Sequence, residues 1–150
     1  MANWLGRSRL MLWALLVLIL LSALFSMWNG MSRNTLKTAF KVATLSMTER
    51  ANLYKQQWFL QGQPPSVHIE GKTIALSPSG WVFPKRDQDV DCENLLTLLY
   101  PDLKVLDLLP TIDGENSTNG YQCRYQYGQK AVIWVELKGR HFAVNINFLL

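Results

Sequence analysis

The sequence predicts an α+β protein in which an N-terminal transmembrane helix continues into an amphipathic stalk helix and packs on a mainly antiparallel β-sheet. Three observations support this fold class. A charge-free apolar run covers Leu10 to Trp28, apolar residues then recur at helical spacing as far as Trp58, and short segments separated by turn residues make up the rest. The expected regions are a short N-terminus at 1–9, a transmembrane helix at 10–28, a stalk helix at 29–63 and an α+β domain at 64–150.

The apolar run is long enough to cross a bilayer. Its 19 residues would form a helix of about 28 Å, close to the thickness of the hydrocarbon core. Trp13 and Trp28 lie near its two ends, where amphipathic rings prefer the membrane interface. A cleaved secretory signal is the alternative, because Arg7 and Arg9 form a basic start. The run is longer than the apolar part of a usual signal and no small-x-small site follows it, so we predict an uncleaved anchor.

A stalk helix is predicted after the anchor, because Met31 to Leu60 contains neither proline nor glycine. We place a kink at Gly30, and Gly62 with the two following prolines ends the helix. Its apolar residues form one stripe at steps of three and four. The stripe consists of Leu36, Phe40, Ala43, Met47, Ala51, Tyr54 and Trp58. Either the protein's own sheet or a partner helix must cover this interaction stripe. The heptad register fails at Arg50, which favours the sheet for the second half.

The first part of the α+β domain reads as a hairpin followed by a short helix. The stretch VHIEGKTIALS alternates around Glu70-Gly71-Lys72 and places Ile74 and Leu76 on one face. PSG turns the chain, and Trp81 to Pro84 leaves it in extended form. Asp89 to Asp91 then supplies an acidic start for a helix from Cys92 to Tyr100, which Pro101 ends.

The C-terminal part reads as a polar loop followed by three strands. Thr111 to Gly120 has no candidate core residue after Ile112, so we predict a loop there. The strands that follow turn at Gly128-Gln129 and at Lys138-Gly139-Arg140, and such short connections make them antiparallel. On the first strand one face carries Tyr121, Cys123, Tyr125 and Tyr127.

The whole chain has a formal net charge of +4, and the positive charge is concentrated in its N-terminal part. Residues 1–60 hold seven Lys/Arg against the single acid Glu49, whereas residues 61–150 hold eight Lys/Arg against ten Asp/Glu. A nucleic-acid-binding protein should carry its basic surface on the folded domain. Here that domain is slightly acidic, so we expect no nucleic-acid partner.

Cys92 and Cys123 are the two cysteines of the chain, and both fall in the α+β domain. A domain of roughly 90 residues buries only about 60–65% of its unfolded surface and is marginally stable. A disulfide between them would close a loop of about 32 residues, which is worth on the order of 3–4 kcal/mol in the chain-entropy model. Two unpaired core cysteines are the alternative. We predict the disulfide, as a structural bond without the C-x-x-C spacing of a redox site.

The disulfide also decides the predicted orientation. Basic residues stand on both sides of the anchor, so the positive-inside count is nearly equal. Disulfides persist in oxidising compartments. We therefore expect a single-pass membrane protein with its N-terminus in the cytoplasm and its C-terminal domain outside, in the periplasm if the cell is Gram-negative.

The sequence lacks the usual patterns of catalytic and metal-ligating residues. His68 and His141 have no carboxylate or cysteine at metal-ligand spacing. The acidic run from Asp87 to Glu93 lacks the glycine and the glutamate of a calcium loop. There is no G-x-S-x-G, no glycine-rich phosphate loop and no H-E-x-x-H. We expect no catalytic residues, no cofactor and no metal, and hence no enzymatic activity.

The chain combines an apolar N-terminal helix, an amphipathic stalk and an antiparallel sheet with a late disulfide. This combination resembles the architecture of type IV pilins. The likeness has one departure. A prepilin peptidase site needs a glycine, then a hydrophobic residue, and a glutamate as the fifth residue of the mature chain. Gly6 is followed by Arg-Ser-Arg-Leu-Met and Gly30 by Met-Ser-Arg-Asn-Thr, so neither fits.

The motifs resemble more specifically the family of MSHA pilus biogenesis protein F. The quoted segments are ERANLYKQQWFLQGQP at Glu49 to Pro64, GKTIALSPSGWVFP at Gly71 to Pro84, CENLLTLL at Cys92 to Leu99 and the C-x-Y segment at Cys123 to Tyr125. The resemblance covers most of the chain and implies an accessory inner-membrane protein of type IV pilus biogenesis that acts by protein–protein contacts. Its expected partners are other pilus or secretion assembly proteins, or a second copy in a homo-oligomer. The alternative is a periplasmic, membrane-anchored ligand-binding domain or an enzyme with a dispersed site.

Overall fold

The chain has a mixed α+β fold in the computed structural model, which describes residues 2–87 and 89–149, with side chains described at 8–26, 34–87 and 89–149. It divides into an N-terminal unit, Met1–Lys37, and a C-terminal unit, Thr38–Leu150. The predicted interface position of Trp28 and the predicted kink at Gly30 lie outside the described side chains.

The regular elements of the described residues follow in chain order. They are α1 (Ala2–Leu60), β1 (Ser66–Ile69), β2 (Lys72–Ala75), β3 (Lys85–Arg86), β4 (Asp89–Val90), α2 (Cys92–Leu99), β5 (Thr111–Ser117), β6 (Gly120–Tyr127), β7 (Ala131–Lys138) and β8 (His141–Phe148). β1 pairs with β2 and β3 with β4, while β5, β6, β7 and β8 form an antiparallel sheet in that order.

The N-terminal unit contains the candidate membrane span. Within the described residues, Ser8–Ser26 is the one helical segment long and apolar enough to cross a bilayer, with a mean hydropathy of 2.2. None of its side chains is buried. Within this segment the Ser22 hydroxyl donates to the carbonyl of Ile19, so its hydrogen-bonding group is satisfied inside the helix. The span predicted at 10–28 thus corresponds to this segment, which begins and ends two residues earlier.

The core of the C-terminal unit lies between the second half of α1 and the four-stranded sheet. The Phe40 ring meets the Tyr127 ring edge-on, with centroids 5.3 Å apart. The Tyr54 hydroxyl donates to the Leu98 carbonyl of α2 at 2.8 Å. Six stripe residues of α1 are buried in this unit: Phe40, Ala43, Met47, Ala51, Tyr54 and Trp58. The protein's own domain therefore covers this part of the stripe, as the failure of the heptad register suggested.

Leu36 differs from the other stripe residues. It is half-buried and belongs to the N-terminal unit, whereas the buried stripe belongs to the C-terminal unit. The boundary between the units falls inside α1, between Lys37 and Thr38. The cause is that residues 40–58 supply core side chains to the sheet, so this length of helix is an internal element of the domain.

The polar stretch after Ile112 forms a strand, where the sequence predicts a loop. β5 pairs along its whole length with β6, from Thr111 opposite Gln126 to Ser117 opposite Gly120. Its residues beyond Ile112 are all exposed. An edge strand of this kind is held by main-chain hydrogen bonds and needs no apolar alternation, so side-chain pattern could not reveal it.

Two smaller differences concern α2 and the segment before it. The helix ends at Leu99, one residue earlier than predicted, although the Tyr100 amide still donates to the Leu96 carbonyl. Asp91 caps α2 by accepting from the Asn94 amide at 3.0 Å. Asp89, predicted to lie in the acidic helix start, instead pairs with Arg86 in the β3–β4 ladder.

The burial of the stripe leads to a stability prediction. Tyr54→Ala should lower the free energy of unfolding by roughly 3–5 kcal/mol, because it leaves a cavity and removes the hydrogen bond to Leu98. Leu53→Ala is the matched control on the same helix, since Leu53 is 44% exposed; its cost should stay below about 1 kcal/mol. Urea unfolding of the detergent-solubilised chain, followed by near-UV circular dichroism, measures both. Equal losses would contradict the packing described.

Candidate functional site

The disulfide is present between Cys92 and Cys123, as predicted. The two Cα atoms are 5.7 Å apart and the residues are separated by 31 positions in sequence. Cys92 is the first residue of α2, and Cys123 lies in the middle of β6. Both side chains are buried. The bond therefore fixes the start of α2 to the centre of the sheet.

Three tyrosines flank Cys123 on the buried face of β6 and donate hydrogen bonds to main-chain carbonyls. Tyr121 reaches Val82 at 2.9 Å, Tyr125 reaches Cys92 at 2.8 Å and Tyr127 reaches Leu103 at 3.4 Å. Loss of hydration on burial raises the pKa of all three hydroxyls. The sequence placed these side chains on one face, and the structure shows that they serve as supports for the segments packed on the sheet.

An open groove lies at one end of the C-terminal unit and is the candidate functional site. Its volume is about 820 Å³. Five parts of the chain form its walls: the end of α1, the turn at Ser77 to Gly80, the segment from Phe83 to Lys85, the β5–β6 connection and the β7–β8 turn. The residues that line it are Lys55, Trp58, Phe59, Gln63, Leu76, Ser77, Pro78, Ser79, Phe83, Lys85, Asn116, Ser117, Thr118, Asn119, Gly120, Leu137, Gly139 and Arg140.

The turn at Ser77 to Gly80 is held in place on the groove wall. The Ser77 hydroxyl accepts from the Trp81 amide at 3.1 Å, and the Gly80 amide donates to the Ser77 carbonyl at 2.9 Å. Gly80 has a φ of +81° and lies against the face of the Trp58 ring, where a side chain would clash. Hence the PSGW segment needs glycine both for its backbone conformation and for the close approach of tryptophan.

Trp81 connects this turn to the β7–β8 turn and to α1. Its indole nitrogen donates to the Arg140 carbonyl at 3.0 Å, and its ring stacks on Phe142 with centroids 4.9 Å apart. The Lys55 ammonium lies over the same ring, 3.9 Å from the centroid. The Ser79 hydroxyl adds a bond to the Gly139 carbonyl at 3.2 Å. These contacts hold the Lys55 ammonium and the main chain at Gly139 and Arg140 in place beside the groove.

The groove is electropositive. Its charged lining residues are Lys55, Lys85 and Arg140, and none of the described residues that line it is an aspartate or a glutamate. Burial, and secondly the positive charge of Arg140, lower the pKa of Lys55. Two cations are thus close enough to repel each other where no acid compensates them.

The candidate residues of the sequence analysis lie apart from this groove, with the exception of Trp58. Cys92 and Cys123 form the structural disulfide, and the remaining buried stripe residues form the core. His68 bonds with the Thr73 hydroxyl across the β1–β2 hairpin, and His141 is exposed at the start of β8. The sequence did not point to the groove, because its three cations are distant in the chain and follow no common pattern.

The comparisons with known proteins leave the functional interpretation to the chain itself. No protein-family model, no curated protein and no solved structure matches it. The motifs of the sequence and the geometry of the described residues are therefore the basis for the proposals that follow.

Thiol labelling should confirm the disulfide in the purified protein. We expect no free cysteine in the denatured, unreduced chain, and two after reduction. Reduction should also lower the free energy of unfolding by about 3–4 kcal/mol, as expected for a loop of this length. Two labelled thiols per chain before reduction would contradict the bond.

The buried tyrosines predict a loss of stability in alkali. The ordinary tyrosine pKa is about 10, and the folded chain raises the pKa of Tyr121, Tyr125 and Tyr127 above that value. Below pH 10 these hydroxyls are protonated in both states. Above pH 10 they ionise only in the unfolded chain, so each tyrosine should lower the free energy of unfolding by about 1.4 kcal/mol for every further pH unit.

Tyrosinate absorbance checks this alkaline prediction. Fewer tyrosines should titrate near the ordinary pKa in the folded chain than in the urea-unfolded chain, because the pKa of Tyr121, Tyr125 and Tyr127 is raised on folding. Tyr125→Phe should weaken the dependence of stability on pH, because it removes one of the three groups. Ordinary titration of every tyrosine in a chain that remains folded by circular dichroism would contradict the burial.

Proposed function

We propose that the protein is an accessory inner-membrane protein of type IV pilus biogenesis, of the MSHA type, and that it acts through protein–protein contacts. One observation carries the proposal furthest. The helix α1 includes both an exposed apolar segment of membrane-spanning length, Ser8–Ser26, and the buried stripe from Phe40 to Trp58 that belongs to the α+β unit. This is the arrangement expected from the resemblance to pilin-like proteins and to the MSHA pilus biogenesis protein F family.

The proposed topology places the N-terminus in the cytoplasm and the C-terminal unit in the periplasm. The bond between Cys92 and Cys123 supports this orientation, because such bonds persist in oxidising compartments. It joins α2 to the sheet of a small domain, where its removal should be costly. A periplasmic domain on a membrane anchor can contact other envelope-spanning assembly proteins.

A contact function also suits the roles of the polar side chains in the C-terminal unit. The three β6 tyrosines donate to main-chain carbonyls, Asp91 caps α2 and pairs with Arg86 at 2.9 Å, and both cysteines are bonded. These groups maintain the fold. The groove is a concave surface of this unit whose lining carries three cations.

The functional test is piliation of a deletion strain. We expect surface pili and pilus-dependent adhesion to be lost on deletion and restored by the full chain. Pili should also be lost from a strain whose chromosomal copy encodes Cys92→Ser and Cys123→Ser, if the domain needs its disulfide to fold. Normal piliation and adhesion in the deletion strain would overturn the proposal and favour an envelope ligand-binding role.

The contribution of the anchor can be separated from that of the domain. Helices in a bilayer associate through close packing and hydrogen bonds, so an anchor that touches other anchors depends on its own side chains. We expect a chimera with an unrelated apolar helix of equal length, inserted and expressed normally, to restore fewer pili than the native chain. Full restoration would show that the anchor is only a tether.

A further inference from the structure

We propose that the groove binds an acidic, extended peptide segment of another protein, with Lys55, Lys85 and Arg140 contacting its carboxylates. The proposal rests on the proposed function, since it describes the chemistry of a partner in assembly. It starts from the charge of the site. The ion pairs found among the described residues are Arg86–Asp91 and Lys138–Glu136, so the three groove cations have no carboxylate partner there.

Holding these cations together has an electrostatic cost that an anion would relieve. The Lys55 ammonium lies over the Trp81 ring, and the indole bonds to the main-chain carbonyl of Arg140, so the chain at Arg140 is held next to Lys55. Lys85 is the third cation of the lining, with its ammonium 4.7 Å from the centre of the Phe83 ring. Charges spread around a cleft suit a ligand with several carboxylates along its length.

The remaining lining favours a peptide as the carrier of those carboxylates. Phe83 is half-buried and Phe59 is 57% exposed, so these two rings offer apolar surface in a lining that also includes the buried Trp58 and Leu76. The exposed Asn119 brings an amide that can both donate and accept hydrogen bonds, which is what a peptide backbone requires. The combination of apolar surface, hydrogen-bonding groups and cations is that of peptide-recognition grooves.

The site is also largely preformed. The bonds from Trp81 to Arg140 and from Ser79 to Gly139 join the two turns that border the groove. Less side-chain and loop ordering is then needed when a ligand binds, which lowers the free-energy cost of association.

An anionic membrane surface fits this geometry less well. Segments that bind acidic lipids usually present clusters of four to eight Lys/Arg. Here three cations surround a cleft of about 820 Å³ with apolar and amide-bearing walls. A headgroup would use the cations and leave those walls without a role.

A binding measurement tests the inference without reference to pili. The probe is a short fluorescein-labelled peptide of alternating glutamate and phenylalanine, titrated with the full chain in neutral detergent and followed by fluorescence anisotropy. We expect saturable binding that weakens as salt is raised, because charge attraction is screened. The same peptide with glutamine in place of glutamate should bind about tenfold more weakly.

A pair of charge-matched double variants locates the binding. Lys85→Gln with Arg140→Gln should weaken the acidic peptide about tenfold. Lys104→Gln with Lys130→Gln removes the same charge from exposed lysines outside the groove and should leave affinity within about twofold. Thermal unfolding of each variant checks that the fold is retained.

Three results would overturn the proposal. The first is equal affinity of the two double variants for the acidic peptide, and the second is no preference for that peptide over its neutral analogue. The third is that the chain binds a short-chain phosphatidylglycerol, added as monomers, but does not bind the peptide. If the peptide binds as expected but deletion leaves piliation normal, the groove assignment stands and the pilus role falls. If deletion abolishes pili but the peptide fails to bind, the reverse holds.

Discussion

The hydrogen bonds and the disulfide on the buried face of β6 hold the C-terminal unit together. Tyr121, Tyr125 and Tyr127 each direct a hydroxyl to a main-chain carbonyl, on Val82, Cys92 and Leu103. A buried hydroxyl without a partner costs about 1–3 kcal/mol. The strand therefore specifies where three successive parts of the chain must lie, which are the segment at Val82, the start of α2 and the segment at Leu103.

The position of the groove follows from the same arrangement. The bond from Tyr121 fixes Val82, and with it the neighbouring PSGW turn, which lies against Trp58 at the end of α1. Glycine is also required at position 120, at the start of β6, because any side chain there would clash with the Leu137 carbonyl of β7. Main-chain packing thus determines where the walls of the groove lie, and the charged side chains extend from these walls.

Local signals in the sequence predicted the turns and the helices well. Glu70 and Gly71 both have positive φ, at 51° and 74°, as the predicted hairpin turn requires. Gly128 and Gly139 lie in the two predicted turns of the closing strands and also have positive φ. The alternation along β6 correctly placed Cys123 among the buried tyrosines. In each case the information lies within a few residues.

The sequence by itself determined the apolar anchor candidate, the stripe on α1, the closing hairpins and the presence of two cysteines in one small domain. Only the tertiary structure decided that the domain's own core covers the stripe from Phe40 to Trp58, that the polar residues after Ile112 pair as β5, and that Lys55, Lys85 and Arg140 converge. The physical reason is the range of the interactions. Periodicity and turn chemistry act between near neighbours, whereas strand pairing and clustering of charge depend on contacts between distant segments that exist only after the chain has folded.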